Sequence, residues 1–345
     1  MKFRQLGPNG PQISLIGLGT MTWGEQNSPE EAFAQLDMAI GAGVNFIDAA
    51  EMYPVPPRPE TQGRTEEILG QWLQQRGRHD DLVIATKVTG RNPSMDWIRG
   101  GPRLDRASIR TACEASLQRL GIDCIDLYQV HWPERSTNFF GKLGYREQDT
   151  PGEISIEETL SALGELVQEG KVRYIGLSNE TPWGLAEYLR LADQLGLPRV
   201  ASVQNPYNLL NRSYEIGLAE FAHRNDIGLL AYSPLAFGML SGKYRDGAKP
   251  PKARLSLYER FSRYTNPQAI AATERYAALA EAHGLPPAQM ALAYINQQPF
   301  VRSNLIGATS LEQLQQNLDS AALTLSAELL EAIEAIHREQ PNPAP

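Results

Sequence analysis

DLVIATKV (residues 81–88), DRASIRTACEASLQRLG (105–121) and CIDLYQVHW (124–132) form one repeating unit, and its reading decides the fold. The outer segments are apolar runs without polar alternation, the pattern of strands covered on both faces. The middle segment has apolar residues at helical spacing and ends at a glycine. Strand, helix and strand of this kind make a parallel crossover unit. The unit recurs in both directions. SLIGLGT (14–20) precedes EEAFAQLDMAIGAG (30–43), whose Gly41 and Gly43 signal a stop, and VNFID (44–48) precedes TEEILGQWLQQRG (65–77). CIDLYQVHW is followed by SIEETLSALGELVQEGK (155–171), VRYIGLSN (172–179) by TPWGLAEYLRLADQLG (181–196), and RVASVQNPY (199–207) by SYEIGLAEFAHRND (213–226). IGLLAYSP (227–234) leads after a long gap to PQAIAATERYAALAEAHG (267–284), and VRSNLIGAT (301–309) to SLEQLQQNLDS (310–320).

Eight such units predict an α/β fold, a closed (β/α)8 TIM barrel spanning residues 1–345 as one domain. Periodicity does not show closure, so an open doubly wound sheet stands as the alternative. The lack of a GxGxxG after an early strand weakens it, since GLGTMTWG (17–24) has too few glycines in the wrong places. KFRQLGPNGPQISLI (2–16) reads as a β-hairpin turning at GPNGP, able to plug the barrel bottom. Stretches 88–105, 133–153 and 237–266 exceed what connectors need. Each follows a strand and so belongs to the C-terminal face, where barrel enzymes keep their sites. RSTNFFGKLGY (135–145) brings Phe139, Phe140 and Tyr145 into one loop, as packed satellites or as a lid or substrate wall.

The net charge of −8 argues against a nucleic-acid partner. No apolar run approaches the length of a membrane span, and MKFRQLGPNG has no apolar signal core, so a cytoplasmic location is expected. Cys113 and Cys124 fit neither a CxxC pair nor a zinc site and read as reduced thiols. His131, His223 and His283 show no ligand spacing, so no metal is expected.

Polar side chains close several strands: Asp48, Lys87, His131, Ser178 with Asn179, Gln204, and Tyr232 with Ser233. Any one of them reads first as a structural pair. Asp, Lys and His on three neighbouring strands, all toward one rim, read better as a site. Tyr53 follows five residues after Asp48. A phenol of ordinary pKa about 10 is neither a good base nor a strong acid at neutral pH. A nearby ammonium is expected to lower it, and a carboxylate to hold that ammonium. Asp48, Tyr53, Lys87 and His131 thus make a set for delivering a proton to an oxygen, as a carbonyl under hydride attack requires.

GLGTMTWGEQN (17–27), IDAAEMYPVPPRPETQG (47–63), LYQVHWPERSTNFFGKLGY (127–145), GKVRYIGLSNET (170–181), QNPYNLLNRS (204–213) and AYSPLAFGMLSGKY (231–244) occur in this order. Together they resemble the aldo-keto reductases over nearly the whole length. The resemblance implies a (β/α)8 barrel that uses NADPH/NADP+ without metal or flavin and transfers hydride to an aldehyde or ketone. It makes Tyr53 the proton donor, Lys87 its modulator, Asp48 the partner of Lys87, and puts His131 on the substrate carbonyl. It assigns Ser178, Asn179 and Gln204 to the nicotinamide carboxamide and Tyr232 to the ring face. Ser233, Pro234, Leu235, Ala236, Phe237, Gly238, Leu240, Ser241 and Lys243 fall to the loop over the pyrophosphate. Gly307, Thr309, Gln313, Gln316 and Asn317 fall to the adenosine end, Gly19, Thr20 and Met21 also to the cofactor, and Trp23 and Trp132 to the substrate.

A helix starting near Ser310 would offer free N–H groups to a phosphate. The plainer readings are that Ser310 caps its helix, that Asn179 caps the next one before Pro182, and that Tyr232 is core. Two features depart from the family pattern. The turn after Tyr53 is long and carries prolines at 54, 56, 57 and 59. For a ribose 2′-phosphate, Arg302 is the basic residue near Thr309, with Arg254, Arg260 and Arg263 available from the seventh loop. The partner expected is a small-molecule carbonyl substrate, with no nucleic acid and no membrane; monomer and homo-oligomer are both compatible. A redox-sensing NADP(H)-binding regulatory protein, like the potassium-channel β subunits that share the fold, is the second reading. A metal-dependent hydrolase is a distant third.

Overall fold

A computed structural model describes every residue of the chain except Gln148, which falls within the 133–153 loop. A short antiparallel hairpin, β1 (Phe3–Gln5) and β2 (Gln12–Ser14), comes first. Eight strands follow: β3 (Ile16–Gly19), β4 (Phe46–Asp48), β5 (Val83–Val88), β6 (Ile125–Val130), β7 (Val172–Ser178), β8 (Ser202–Pro206), β9 (Gly228–Tyr232) and β10 (Val301–Ile306). All pair in parallel with their sequence neighbours, and β10 pairs with both β9 and β3. The sheet is therefore a closed (β/α)8 barrel, and the open-sheet alternative falls.

The helices are α1 (Pro29–Gly41), α2 (Arg64–Arg76), α3 (Arg106–Leu120), α4 (Ile156–Gln168), α5 (Pro182–Leu195), α6 (Leu218–Arg224), α7 (Arg254–Leu257), α8 (Pro267–Ala282), α9 (Pro287–Asn296), α10 (Leu311–Asp319) and α11 (Ala327–Glu339). Their starts are written in capping side chains that satisfy orphan backbone donors. Ser28 and Glu31 form a reciprocal capping box on α1, and Asp105, Ser155, Thr181, Asn266, Ser310 and Ser326 each accept from the backbone N–H three residues on. The helix expected over 213–226 is broken. Gly217, at φ 90°, separates a 3₁₀ turn at Ser213–Glu215 from α6. The helices α7, α9 and α11 lie outside the repeating pattern.

The inward faces of the strands change character along their length. At the bottom, Phe46, Val83, Ala85, Leu127, Leu230 and Leu305 pack on Leu6 and Ile13 of the hairpin. The hairpin thus plugs the barrel, and Gly7, at φ 64°, lets the turn lie against Ala201, where a Cβ would come within 3.1 Å. Toward the C-terminal ends the inward positions become Asp48, Lys87, Gln129 and Gln204, bonded to one another. The outward faces bury Ile47, Ile84, Tyr128, Leu177 and Leu229 under the helices. Alternation along each strand therefore sorts side chains between two cores. No described helix is long and apolar enough to cross a membrane.

Candidate active site

Asp48 is the last residue of β4, and Lys87 pairs in register with Gln129 of β6. Lys87 Nζ lies 2.6 Å from Asp48 Oδ2 and 2.7 Å from the carbonyl of Ala49. The other oxygen, Asp48 Oδ1, accepts from Gln129 Nε2 at 3.0 Å and Gln204 Nε2 at 2.8 Å. All four side chains are buried, so each charge and amide is matched inside the barrel, as burial demands.

Tyr53 sits on the loop after β4. Its N–H donates to Ala50 and its carbonyl accepts from Gly63, which bends the loop back over the mouth. Lys87 Nζ is 4.9 Å from the Tyr53 ring centroid. The His131 ring stands edge-on to Tyr53 with centroids 5.7 Å apart. The four predicted residues are thus brought together. Burial is the largest influence on Tyr53 and raises its pKa; Lys87 pulls down, Asp48 pushes up, and the net direction is upward. This corrects the expectation of a lowered phenol: in the chain alone, desolvation wins over the ammonium. Burial alone would lower Lys87, but Asp48 and Tyr53 outweigh it and hold the ammonium above its ordinary value. Burial, then Lys87, drives His131 well below the ordinary imidazole value, so the ring is neutral at neutral pH. Among the described residues its buried Nδ1 has no hydrogen-bond partner.

Around this group lie the residues carried over for the cofactor. Asn179 Nδ2 donates to the His131 carbonyl at 2.9 Å, and Tyr232 Oη donates to Asn179 Oδ1 at 2.6 Å. Asn179 is therefore not the cap of α5; Thr181 is. Ser178 Oγ donates to the Gln204 carbonyl. Gln204 uses its amide N–H groups on Asp48 and Gln129. The segment after β9 is bent through left-handed backbone at Ser233, Ala236 and Phe237, and Asn179 shares that conformation. Non-glycine residues held there store strain, which gathers at functional sites. Leu235 precedes the 3₁₀ turn that contains Leu240 and Ser241, Ser241 Oγ donates to the Gly238 carbonyl, and Pro234 is buried. A Cβ at Gly238 would come within 2.7 Å of Lys243 Cε, so the lysine stem lies along that glycine.

At the far end, Asn317 Nδ2 donates to the Gly307 carbonyl, and Gln313 Oε1 accepts from Thr309. The carbonyl of Gln316 accepts from Gln289. The first loop joins this side: Asn27 donates to the Thr309 carbonyl, Thr20 Oγ1 to the Asp48 carbonyl, and Met21 accepts from Val55 N–H. Gly19 runs beside Ile306.

Two expectations need correction. Trp23 is fully buried in the layer between barrel and helices, with its indole N–H on Gln35 of α1, so it presents no face to a substrate. Arg302 sits near the start of β10, bonded to Asp226 before β9, at the opposite end of the strand from Thr309. Arg254 on α7 reaches the mouth, where its charge acts on both Tyr53 and Lys243, and the charge of Arg263 acts on Tyr232. Arg254 stacks over Phe237 and Phe261. Among the described residues neither Lys243 nor Arg254 has a carboxylate partner.

Trp132 is in the wall by Tyr53, packed with Ala50, Met52, Met95 and Ile98, while Val55, Trp97 and Phe139 border the same cluster. Phe140 meets Trp132 at 5.7 Å between centroids, while Tyr145 is largely exposed. Two participants escaped the sequence reading. Gln129 was visible only as a polar residue inside YQVHW. Glu51, two residues before Tyr53, accepts from Thr89 N–H and from both terminal nitrogens of Arg99, tying the loop after β4 to the loop after β5.

Among the described residues no cluster of His, Cys, Asp and Glu could hold a metal ion. A sequence profile described as the Aldo/keto reductase family matches residues 15–338. Protein tas of Escherichia coli is 52% identical, with 100% of each chain covered. A probable voltage-gated potassium channel subunit beta of Arabidopsis thaliana is 31% identical over 99% of this chain and 98% of its own. An uncharacterized oxidoreductase of Bacillus subtilis, YrpG, is 30% identical over 97% and 96%. The chain belongs to the aldo/keto reductase family.

Proposed function

We propose that the chain is an NADP(H)-dependent reductase of aldehydes or ketones, with Tyr53 as proton donor. The observation that carries this is the buried Asp48–Lys87 pair at 2.6 Å, with its ammonium 4.9 Å from the ring centroid of a phenol whose pKa burial raises. A general acid must be protonated at the working pH and close to a group that stabilises its anion as the proton leaves. Lys87 meets the second need and burial the first. His131, held neutral, has an N–H to offer a carbonyl oxygen without adding charge.

The donor set fits the cofactor. Lys243 and Arg254, two cations without carboxylates, suit phosphate groups, and the free N–H groups at the start of α10 add to them. Asn179, Ser178 and Gln204 would hold the carboxamide, with Tyr232 against the ring. When bound there, NADPH would supply the hydride for the carbonyl carbon. Tyr53 then gives its proton to the oxygen, and Lys87 stabilises the phenolate left behind. Trp132, Trp97 and Phe139 exclude water from the carbonyl and favour a substrate with an apolar body. The single barrel domain and the cytoplasmic location belong to this reading.

The test is fluorescence titration with NADPH and with NADH, followed by addition of 4-nitrobenzaldehyde. Nicotinamide absorbance is expected to fall in the wild type. In Tyr53→Phe, turnover is expected to drop by about 10²–10⁴-fold while NADPH still binds within about twofold. Native turnover in that variant would sink the assignment. The likeness to proteins named as probable potassium channel β subunits favours a second reading, a redox sensor. Tight NADPH binding without turnover across an aldehyde panel would select it.

A further inference from the structure

Gln129 is fully buried inside the barrel, yet nothing about barrel packing requires an amide there. Burying an amide is unfavourable unless both ends are bonded. Here they are: Nε2 reaches Asp48 Oδ1 at 3.0 Å, and Oε1 accepts from Gln204 Nε2 at 3.1 Å. Gln204 also donates to the same Asp48 oxygen at 2.8 Å. The three side chains close a ring of hydrogen bonds. The ring occupies Oδ1 of the carboxylate and leaves Oδ2 to Lys87. Space for it is provided from the next strand. Gly176 pairs with Gln129, and a Cβ there would lie 3.0 Å from Gln129 Cγ.

We propose that Gln129 is a positioning residue that couples the Gln204 amide to the Asp48–Lys87 pair, and through it to the Tyr53 acid. The proposal rests on the reductase reading above. Gln129 touches neither Lys87 Nζ nor Tyr53 through any hydrogen bond the structure contains. It acts by fixing the Asp48 rotamer, hence the place of the ammonium. It also fixes the direction of the Gln204 amide, turning the carbonyl end away from the carboxylate, where a carboxamide N–H could meet it. Occupancy at Gln204 would then be felt at Tyr53 through two side chains.

The Tyr53 phenol is faced by Lys87 from β5, Asp48 from β4 and Arg254 from α7; the His131 ring after β6 and the Tyr232 phenol on β9 border it. Of these, the ring of amides controls only Asp48 and Lys87. Gln129→Met keeps the volume and removes both hydrogen bonds. With Lys87 less well held, the phenol loses part of its downward pull, and the alkaline limb of kcat for aldehyde reduction moves to higher pH. The expected fall in kcat is about tenfold to a hundredfold, with the NADPH dissociation constant changed less than about threefold. Gly176→Ala pushes Gln129 from the adjacent strand and leaves the amide in place; it should move the limb in the same direction by a smaller amount.

A Gln129→Met protein with a lower melting temperature but an unmoved pH profile and kcat within about twofold of wild type overturns the coupling, because a packing role predicts that pattern. A limb moved by Gln129→Met but not by Gly176→Ala also overturns it, since the shift then does not follow the ring geometry. Wild-type turnover is the control. Its absence retires the reductase reading and this coupling with it, whereas wild-type turnover with unmoved variants retires the coupling alone.

Discussion

Lys87 has no exposed surface, and its ammonium survives burial because Asp48 and the Ala49 carbonyl replace water. Lys87→Met removes the cation and leaves Asp48 with two amide donors. A buried carboxylate without its counter-ion costs about 3–5 kcal/mol. Turnover should fall at least as far as in Tyr53→Phe. The stability loss has a pH signature. Lys87 is held above its ordinary pKa, so the folded protein keeps this proton more tightly than the unfolded chain does. Its contribution is complete below about pH 10.4 and fades as pH rises through the folded value. Denaturant unfolding at pH 8 and pH 11 should show the gap between wild type and Lys87→Met shrinking at the higher pH; a constant gap would refute the linkage. Asp48, Lys87 and His131 could be grouped from the sequence because three titratable groups close neighbouring apolar runs toward one rim, although any one alone reads as structural; Tyr53 joined them from the loop five residues after Asp48. Gln129 was not among them: a neutral amide raises no alarm, and its partners lie 81 and 75 positions away in sequence. Trp23 and Arg302 were misread for a related reason. Nearness in sequence to a site residue says nothing of which face or which end of the strand a side chain takes.

At the level of elements, the site depends on how the loops after β4 and β5 are joined. Glu51 is almost wholly buried, and its carboxylate holds Arg99 at 2.5 and 2.9 Å and the Thr89 N–H at 2.6 Å. Arg99 sits at φ 52°, a conformation the clamp must sustain. The same loop carries Met95, Trp97 and Ile98 into the wall beside Tyr53. Glu51→Gln keeps the shape of the side chain but discharges the clamp. The wall should loosen while Lys87 and Asp48 stay in place. kcat/KM for bulky aromatic aldehydes is expected to fall by on the order of tenfold to a hundredfold, and for a two-carbon aldehyde by much less. Steady-state kinetics across a series of graded bulk decides it; a uniform loss over the series would point to general destabilisation instead. The strands of this architecture could be read from the sequence because each is a short apolar run between turn signals. α9 was not read, since it follows α8 without an intervening strand and is buried on nearly every side, so it breaks the strand–helix alternation that marks the other units. The break before α6 turned on one glycine whose positive φ no pattern reveals.

Across the whole molecule, the barrel separates what stabilises from what reacts. The inward column of side chains is apolar where it meets the hairpin and polar where it meets the loops, so the two ends answer to different substitutions. The hairpin is the simplest place to test that separation. Ile13 has no exposed surface and packs with Leu6 under Phe46, Leu127, Leu230 and Leu305. Backbone bonds from β1 to β2 and the Arg4 guanidinium on the Gln298 and Asn296 carbonyls fix it there, so the plug has little freedom to refill a void. Ile13→Ala should therefore cost about 2–5 kcal/mol, the range for a buried aliphatic side chain whose cavity stays open. In a chain of this size the melting temperature should drop by roughly 3–7 °C. The Asp48–Lys87 pair lies at the other end of the same strands, and the amides of Gln129 and Gln204 hold it independently of the plug. Below the transition, kcat with an aldehyde should stay within about twofold of wild type. Thermal unfolding and kinetics on one preparation check both halves. A lower melting temperature with unchanged turnover fits a barrel whose bottom serves packing alone. A loss of turnover at temperatures where the variant is fully folded would mean that the plug sets the strand ends, and that the two halves of the column are mechanically one.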